Sequence, residues 1–179
     1  ASKVNKRMVY YYFGSKEDLY REAWKKAFQD SLKKFPQHGN VPADAPPDER
    51  LRGRIRSFVS KLVDPQNHAF LIVHKEMAVS TELLKDVMQE CIRPLHMEMF
   101  KLVNELLGPN ASEKDIHFCM ASIISQCLGI IRIMRVHEIT QNRSMPLANM
   151  IQGDFNDFAD HIWRFSLAGI EKTREDGQP

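Results

Sequence analysis

The sequence predicts an all-α protein. In several segments, apolar residues recur at spacings of three and four over many turns, which is the period of an amphipathic helix. No segment shows the strict alternation of apolar and polar residues that is typical of strands. Residues 36 to 47 are rich in Pro, Gly and Asn, so they predict a loop between a shorter N-terminal part and a longer C-terminal part.

Two helices are predicted before this loop. Asn5 is a good N-cap for a short helix that ends at about residue 11 or 12. Gly14 breaks the pattern, and Ser15 can cap a second helix that ends at about residue 35. Asp18, three residues after Ser15, makes a weaker version of the capping box.

Six further helices are predicted after the loop, and the first four precede Gly108. The pattern of apolar residues would continue through Pro94, but a proline inside a helix kinks or restarts it. Gly108 ends the run. The four helices are expected at about residues 48–63, 66–79, 81–92 and 93–107.

The last two helices are the most regular. Ser112 with Asp115 marks the start of the first of them. Its apolar stripe consists of Ile116, Met120, Ile123, Cys127, Ile130 and Met134. A second stripe carries the small residues Ser122, Ser125 and Gly129. The final helix is expected over about residues 146–174, with Ile151, Phe155, Phe158, Ile162 and Phe165 on one face.

These two helices have more apolar face than one neighbour would cover. We therefore expect them to pack against a second copy of the chain as a four-helix bundle. The interface would involve Ser122, Ser125, Gly129, Phe155, Phe158, Ile162 and Phe165. The alternative is that both stripes lie inside the core of one chain.

Charge is unevenly distributed along the chain. Residues 1 to 34 hold nine Lys and Arg against four Asp and Glu, whereas the remainder holds sixteen against nineteen. A basic segment attached to a near-neutral body is typical of a protein that binds a polyanion. A solvated helix face would give the same charge distribution. Three cysteines, an odd number within apolar helical patterns, favour a reducing cytoplasm. The sequence has no eighteen-residue apolar run and no signal peptide pattern. We therefore expect a protein that is neither inserted into a membrane nor exported.

The segment from Val9 to Leu19 concentrates aromatic, turn and basic residues. All four tyrosines lie within the first twenty residues, and three are consecutive. Tyrosine hydroxyls can donate to phosphate oxygens, and Lys16 lies near a helix N-terminus whose free amides attract anions. The segment therefore predicts a surface that contacts DNA.

Residues 4 to 19 resemble the second half of the DNA-binding domain of the TetR family. The resemblance rests on the run Tyr10-Tyr11-Tyr12-Phe13-Gly14-Ser15-Lys16-Glu17-Asp18-Leu19. The sequence departs from the family at Asn5, where Ser is usual, and at Lys3, where Gly is common. Residues 68 to 134 further resemble the CecR-type C-terminal domain of that family.

The resemblance implies the C-terminal part of a helix-turn-helix DNA-binding domain at residues 1–36 and a helical ligand-binding and dimerisation domain at residues 47–175. It also implies that the first helix of the DNA-binding domain and most of the second precede Ala1. It places Lys6, Met8 and Tyr11 near bases. It places Arg7, Tyr10, Tyr12 and Lys16 near phosphates.

Methionine and aromatic residues between positions 70 and 134 could line an adaptable apolar pocket. For any single residue, ordinary helical core is the simpler interpretation. Together with the resemblance, the group predicts an effector pocket among Phe70, His74, Met77, Met97, Phe100 and Met120. No pattern of catalytic residues is present, the spacing of His68 and His74 does not favour a metal, and no cofactor is predicted.

These patterns together predict a cytoplasmic, ligand-responsive transcriptional regulator. We expect a homodimer that represses by binding a palindromic DNA operator and responds to a small-molecule effector. The alternative is a helical small-molecule-binding or protein-interaction module that does not bind DNA. Under either interpretation, we expect a protein that is not an enzyme.

Overall fold

The protein is all-α. A computed structural model describes residues 11–67, 69, 85–86, 88–139, 151 and 154–177, and all regular structure within them is helical. Residues Met88–Ile92 form a π-helical turn. The main helices are α1 (Lys16–Lys34), α2 (Pro47–Val63), α3 (Arg93–Leu107), α4 (Glu113–Ile139) and α5 (Phe155–Asp176). The helices predicted at residues 5–12 and 66–79 fall mainly outside the described residues.

Serine caps begin α1 and α4, as predicted. The Ser15 hydroxyl accepts from the Asp18 amide at 3.0 Å and donates to the Asp18 carboxylate at 2.6 Å. Ser112 and Asp115 make the same pair of bonds at 3.1 and 2.6 Å. Before α1, Gly14 adopts a φ of 76°, a left-handed conformation that favours glycine. These starts are set by residues three positions apart, so the sequence alone predicts them.

Helix α2 also agrees closely with its predicted range. It begins with Pro47, whose fixed φ suits the first turn of a helix. Asp48 and Glu49 follow, where negative charge is favourable at the helix N-terminus. The helix ends at Val63 because Asp64, which precedes a proline, is extended at φ −71° and ψ 112°.

Helix α5 begins later than predicted. The pattern predicted one helix over about 146–174, but Asp154 is extended, with a φ of −156° and a ψ of 95°. Its carboxylate accepts from the amides of Asn156 and Asp157 at 2.8 and 3.0 Å. Ile151 is helical, so Asp154 interrupts the expected helix. An Asp that caps the following amides competes with continued helix, and here the cap prevails.

The chain divides into two compact units. One consists of residues 1–34 and 65–93, and the other of residues 35–64 and 94–179. The domains predicted from the sequence, residues 1–36 and 47–175, follow chain order instead and stay a prediction. In the second unit, α2, α4 and α5 pack against one another, and apolar side chains of α3 join the same core.

The predicted stripe of α4 forms much of this core. Ile116, Met120, Ile123, Cys127 and Ile130 are buried, as expected. Met134, the last residue of the predicted stripe, is half-buried, and the buried face continues beyond it to His137. Burial raises the pKa of the Cys127 thiol to about 12, so this cysteine stays a neutral apolar side chain. The buried face of α5 consists of Ala159, Ile162, Ser166 and Ile170.

A charged clamp joins α2 to α5. Arg52 and Arg56, one helical turn apart, both donate to the carboxylate of Asp160 at 2.5 to 3.0 Å. The two guanidinium groups hold the pKa of Asp160 well below its usual value. The Arg52 guanidinium also lies 5.0 Å from the ring centroid of Trp163, whose indole donates to the Asp48 carbonyl at 3.0 Å. The clamp fixes the register of the two helices.

Helix α4 is the one described helix that is long and apolar enough to cross a membrane, judged by length and composition alone. The core helix of a soluble protein passes the same test. Of its most apolar stretch, 28% is buried within the chain.

Candidate functional site

The described part of the predicted DNA-binding surface is exposed. Tyr11 and Tyr12 are 84% and 69% exposed, and their rings form an edge-to-face pair with centroids 5.2 Å apart. Lys16 is exposed at the first residue of α1. The other four residues of the prediction, Lys6, Arg7, Met8 and Tyr10, lie outside the described residues. Tyrosine hydroxyls and a lysine at a helix N-terminus can contact phosphate oxygens.

Several other cations of α1 already have carboxylate partners. Arg21 lies 2.7 Å from Asp18 and 3.0 Å from Asp86. Lys25 lies 2.7 Å from Glu90, whose hydrogen bond raises the pKa of that lysine. Among the residues that the structure describes, Lys16 forms no ion pair. The positive charge at the start of α1 therefore remains available for an anionic partner.

Trp24 anchors α1 within the first unit. Its side chain is 1% exposed, and its indole donates to the Ala69 carbonyl at 3.1 Å. Phe28, one turn later, stacks on it with ring centroids 5.1 Å apart. A buried aromatic side chain with a satisfied polar group holds its helix firmly. Trp24 thereby fixes the helix that begins with Lys16.

The predicted effector pocket is described only in part. Phe70, His74 and Met77 lie outside the described residues. Met120 is 1% exposed in the core, whereas Met97 is 46% exposed. Phe100 is half-buried, with its ring 5.3 Å from the ring of His117. Whether these side chains line one pocket stays a prediction.

A recess in the second unit lies away from these residues. It has a volume of about 70 Å³. Ligand pockets for drug-sized molecules measure roughly 300 to 1,000 Å³, so this recess is too small for such a ligand. Its lining includes Leu107, Gly108, Asn110, Ala111, Thr173 and Arg174.

The predicted dimer residues occupy different positions within the chain. Ser122 and Ser125 are exposed, and Gly129 is half-buried with open space where a side chain would lie. Phe165 is 65% exposed. By contrast, Phe155 and Phe158 pack at the edge of the core, and Ile162 is 2% exposed inside it. The exposed members of the set are therefore the ones free to meet another chain.

One arginine that was not predicted as a site residue is buried. The side chain of Arg54 is 7% exposed, and its Nη2 lies 3.8 Å from a carboxylate oxygen of Glu98. The signal was present in the alternation of Arg52, Arg54 and Arg56. Residues two apart on a helix point in nearly opposite directions, so one of these arginines has to face the core.

No group of three or more potential metal ligands occurs among the described residues. The histidines that come together are His96 and His117, whose rings stack with centroids 5.9 Å apart on the surface of α3 and α4.

Comparison with known proteins identifies the C-terminal part of the chain. The family model for the C-terminal domain of the HTH-type transcriptional dual regulator CecR matches residues 47–170. The match begins with the first residue of α2 and ends within α5. No curated protein matches the chain. The match includes residues 68–134, where the sequence predicted this resemblance, and covers well over half of the chain. The chain therefore belongs to the family of CecR C-terminal domains found in transcriptional regulators.

Proposed function

We propose that this protein is a ligand-responsive transcriptional repressor of TetR type that binds a palindromic operator as a homodimer. The observation that carries the proposal is the match of residues 47–170 to the CecR C-terminal domain. A C-terminal domain of a helix-turn-helix regulator has to be joined to a DNA-binding segment. In this chain, the segment before α2 carries the exposed aromatic and basic residues.

Tyr11, Tyr12 and Lys16 support the DNA contact. All three are exposed, and Lys16 stands where the backbone amides of α1 also favour negative charge. Such contacts to the phosphate backbone orient a protein on the duplex, while side chains in the major groove read the bases. We assign the second task to Lys6, Met8 and Tyr11 by their resemblance to the TetR motif.

Helix α4 supports the homodimer. Its most apolar stretch is 28% buried within the chain, and its large apolar side chains Phe118 and Ile139 are exposed. Ser122 and Ser125 line an exposed side on which a second helix could approach closely. Phe165 of α5 offers an exposed aromatic side chain. A second copy that covers α4 and α5 would complete the four-helix bundle.

The mechanism follows from two-fold geometry. A dimer presents two recognition helices to half-sites roughly 34 to 36 Å apart, about one turn of DNA. An effector that binds one separation of the two DNA-binding segments more tightly than another shifts the population toward it. We propose that the effector-bound form fits the operator less well. The site of action would be the cytoplasm, in keeping with the free cysteines of the described chain.

The test uses the full-length gene product. Duplexes are selected from a random DNA library, and the affinity for a selected duplex is measured by fluorescence anisotropy at several salt concentrations. We expect log affinity to fall linearly with log salt concentration. Lys16→Ala should weaken binding to all selected duplexes and reduce the salt slope by about 1.

The matched control is Lys26→Ala, since Lys26 is on the same helix but already pairs with Asp30 at 2.8 Å. It should leave the salt slope unchanged. An unchanged slope in Lys16→Ala would exclude the phosphate contact. Failure of the library to yield any preferred duplex would favour the alternative, a helical small-molecule-binding or protein-interaction module without DNA binding.

A further inference from the structure

Arg54 is a buried cation with too few partners. Its side chain is 7% exposed, and its Nε is buried without a hydrogen-bond partner. Within the part of the chain that the structure describes, its one charged contact is Glu98 at 3.8 Å, beyond hydrogen-bond distance. A buried guanidinium normally satisfies its donors with a carboxylate, a phosphate or backbone carbonyls.

The nearest carboxylate is committed elsewhere. Glu98 receives a hydrogen bond from Lys101 at 3.0 Å, closer than its distance to Arg54. Its side chain is 43% exposed, so it connects the buried guanidinium to solvent. Arg50, one turn before Arg54, donates to the Ala45 carbonyl and to the Glu105 carboxylate. Arg54 is therefore the arginine of this face that is left without a matching anion.

A second buried nitrogen without a partner lies in the loop that packs on α2 at Gly53. The Nδ1 of His38 is buried and has no hydrogen-bond partner among the described residues. His38 belongs to the loop before α2, and its carbonyl packs directly against Gly53, the neighbour of Arg54. Burial and the proximity of Arg54 lower the pKa of this histidine. In one of its neutral tautomers, Nδ1 carries a hydrogen and can donate it.

We propose that Arg54 anchors an oxyanion-binding site, in which the carboxylate or phosphate group of a small molecule replaces Glu98 and also accepts from His38 Nδ1. Glu98 is half-exposed and keeps its hydrogen bond from Lys101 when it gives up its place beside Arg54. A planar guanidinium binds both kinds of oxyanion through two parallel hydrogen bonds. The site lies within residues 35–64 and 94–179, the second compact unit.

The role of this site as the anchoring point for an effector rests on the proposed function. The binding of an oxyanion does not. An experiment without DNA therefore tests the anion site separately from the proposed function. A protein that does not respond to anions can still bind DNA, and a protein that does not bind DNA can still respond to anions.

The experiment measures thermal unfolding of the full chain in sodium phosphate, sodium acetate and sodium chloride at matched pH and ionic strength. Wild type should show a saturable rise in Tm with phosphate, acetate or both, relative to chloride. A ligand at ten times its dissociation constant should raise Tm by about 3 to 5 °C. Arg54→Met, which keeps the length of the side chain but removes its charge, should abolish the rise.

Two further variants make the result specific. Arg56→Met is the matched control, because Arg56 is a half-exposed arginine two residues away and Arg52 still donates to Asp160 without it. It should retain the anion response. Glu98→Gln removes the competing charge at a half-exposed position. It should lower the anion concentration needed for half the effect by about two- to fivefold, as expected for the loss of a weak ion pair. This variant keeps the test valid if Arg54→Met does not fold.

A response to phosphate alone assigns the site to phosphorylated ligands, and a response to acetate assigns it to carboxylates. The proposal is overturned if neither salt stabilises wild type more than chloride does. It is equally overturned if Arg54→Met responds like wild type, or if Glu98→Gln leaves the midpoint unchanged.

Discussion

Gly53 shows how a single missing side chain shapes the second unit. A Cβ at this position would overlap the His38 carbonyl and lie 2.6 Å from Cγ2 of Val41. Gly39, in the same loop, has a φ of 60° and would place its own Cβ against the backbone of Gly53. The loop before α2 can therefore lie directly on the helix backbone only because both residues are glycine.

Gly53→Ala is expected to lower the free energy of unfolding by about 1 to 3 kcal/mol, the usual cost of overpacking. The obstacle is backbone, which cannot rotate away. The substitution would otherwise favour the helix by about 1 kcal/mol. Urea denaturation monitored by circular dichroism measures the difference.

The control for this prediction is Gly169→Ala in α5, where a Cβ would meet no atom within 4 Å. It should raise the free energy of unfolding by up to about 1 kcal/mol. Equal effects of the two substitutions would contradict the close contact between the loop and α2.

At the scale of elements, the clamp between α2 and α5 should make stability depend on pH. Asp160 is 17% exposed between two arginines that are each about 40% exposed. Its pKa is lowered in the folded protein because Arg52 and Arg56 donate to its charged form. The stabilisation is therefore present above the pKa of an unfolded Asp, about 3.9, and is lost as pH falls through the lower folded value.

Asp160→Asn is expected to cost about 1 to 2 kcal/mol at pH 7, discounted for the exposure of the arginines. The difference between variant and wild type should shrink as pH falls below about 4. Urea denaturation at a series of pH values measures it. Asp44→Asn, in the exposed loop before α2, is the control, and a pH-independent loss in Asp160→Asn would argue against the ionic origin of the clamp.

The elements also show what the sequence can and cannot predict. The starts of α1 and α4 depend on a serine and an aspartate three residues apart, so local reasoning finds them. The stripe from Ile116 to Ile130 follows from helical period alone. The start of α5 is harder, because the apolar pattern continues through Asp154 and only the competition between cap and helix decides the boundary.

The candidate sites divide in the same way. The exposure of Tyr11, Tyr12 and Lys16 agrees with a motif that is contiguous in sequence. The surroundings of Arg54 include Glu98 of α3, which is remote along the chain. They also include the loop that packs on Gly53, whose path the sequence does not predict. Periodicity indicates that one of the alternating arginines faces inward. It does not indicate which anion that arginine pairs with.

At the scale of the whole molecule, the exposed surface of α4 and α5 should determine the oligomeric state. We expect wild type to sediment at twice the chain mass at micromolar concentration, through the apolar surface that α4 leaves unburied. Phe165→Glu should weaken this association by at least tenfold while leaving the fold intact, because Phe165 is 65% exposed within the chain. Sedimentation equilibrium measures both.

Asn104→Glu adds the same charge on an exposed position of α3 and is the control for Phe165→Glu. It should leave the association constant unchanged. A wild-type protein that remains monomeric at all concentrations would contradict the homodimer.

The clamp between Arg52 and Asp160 spans 108 residues of sequence. During synthesis, α2 leaves the ribosome long before α5 has been made. The surface of α2 that carries Leu51, Ile55 and Val59 therefore stays without its contacts to α5 until then. At translation rates of about 5 to 20 residues per second, this delay lasts roughly 5 to 20 seconds. A message truncated before residue 155 would yield a chain with this surface permanently uncovered. Such a chain would be a substrate for chaperones and proteases.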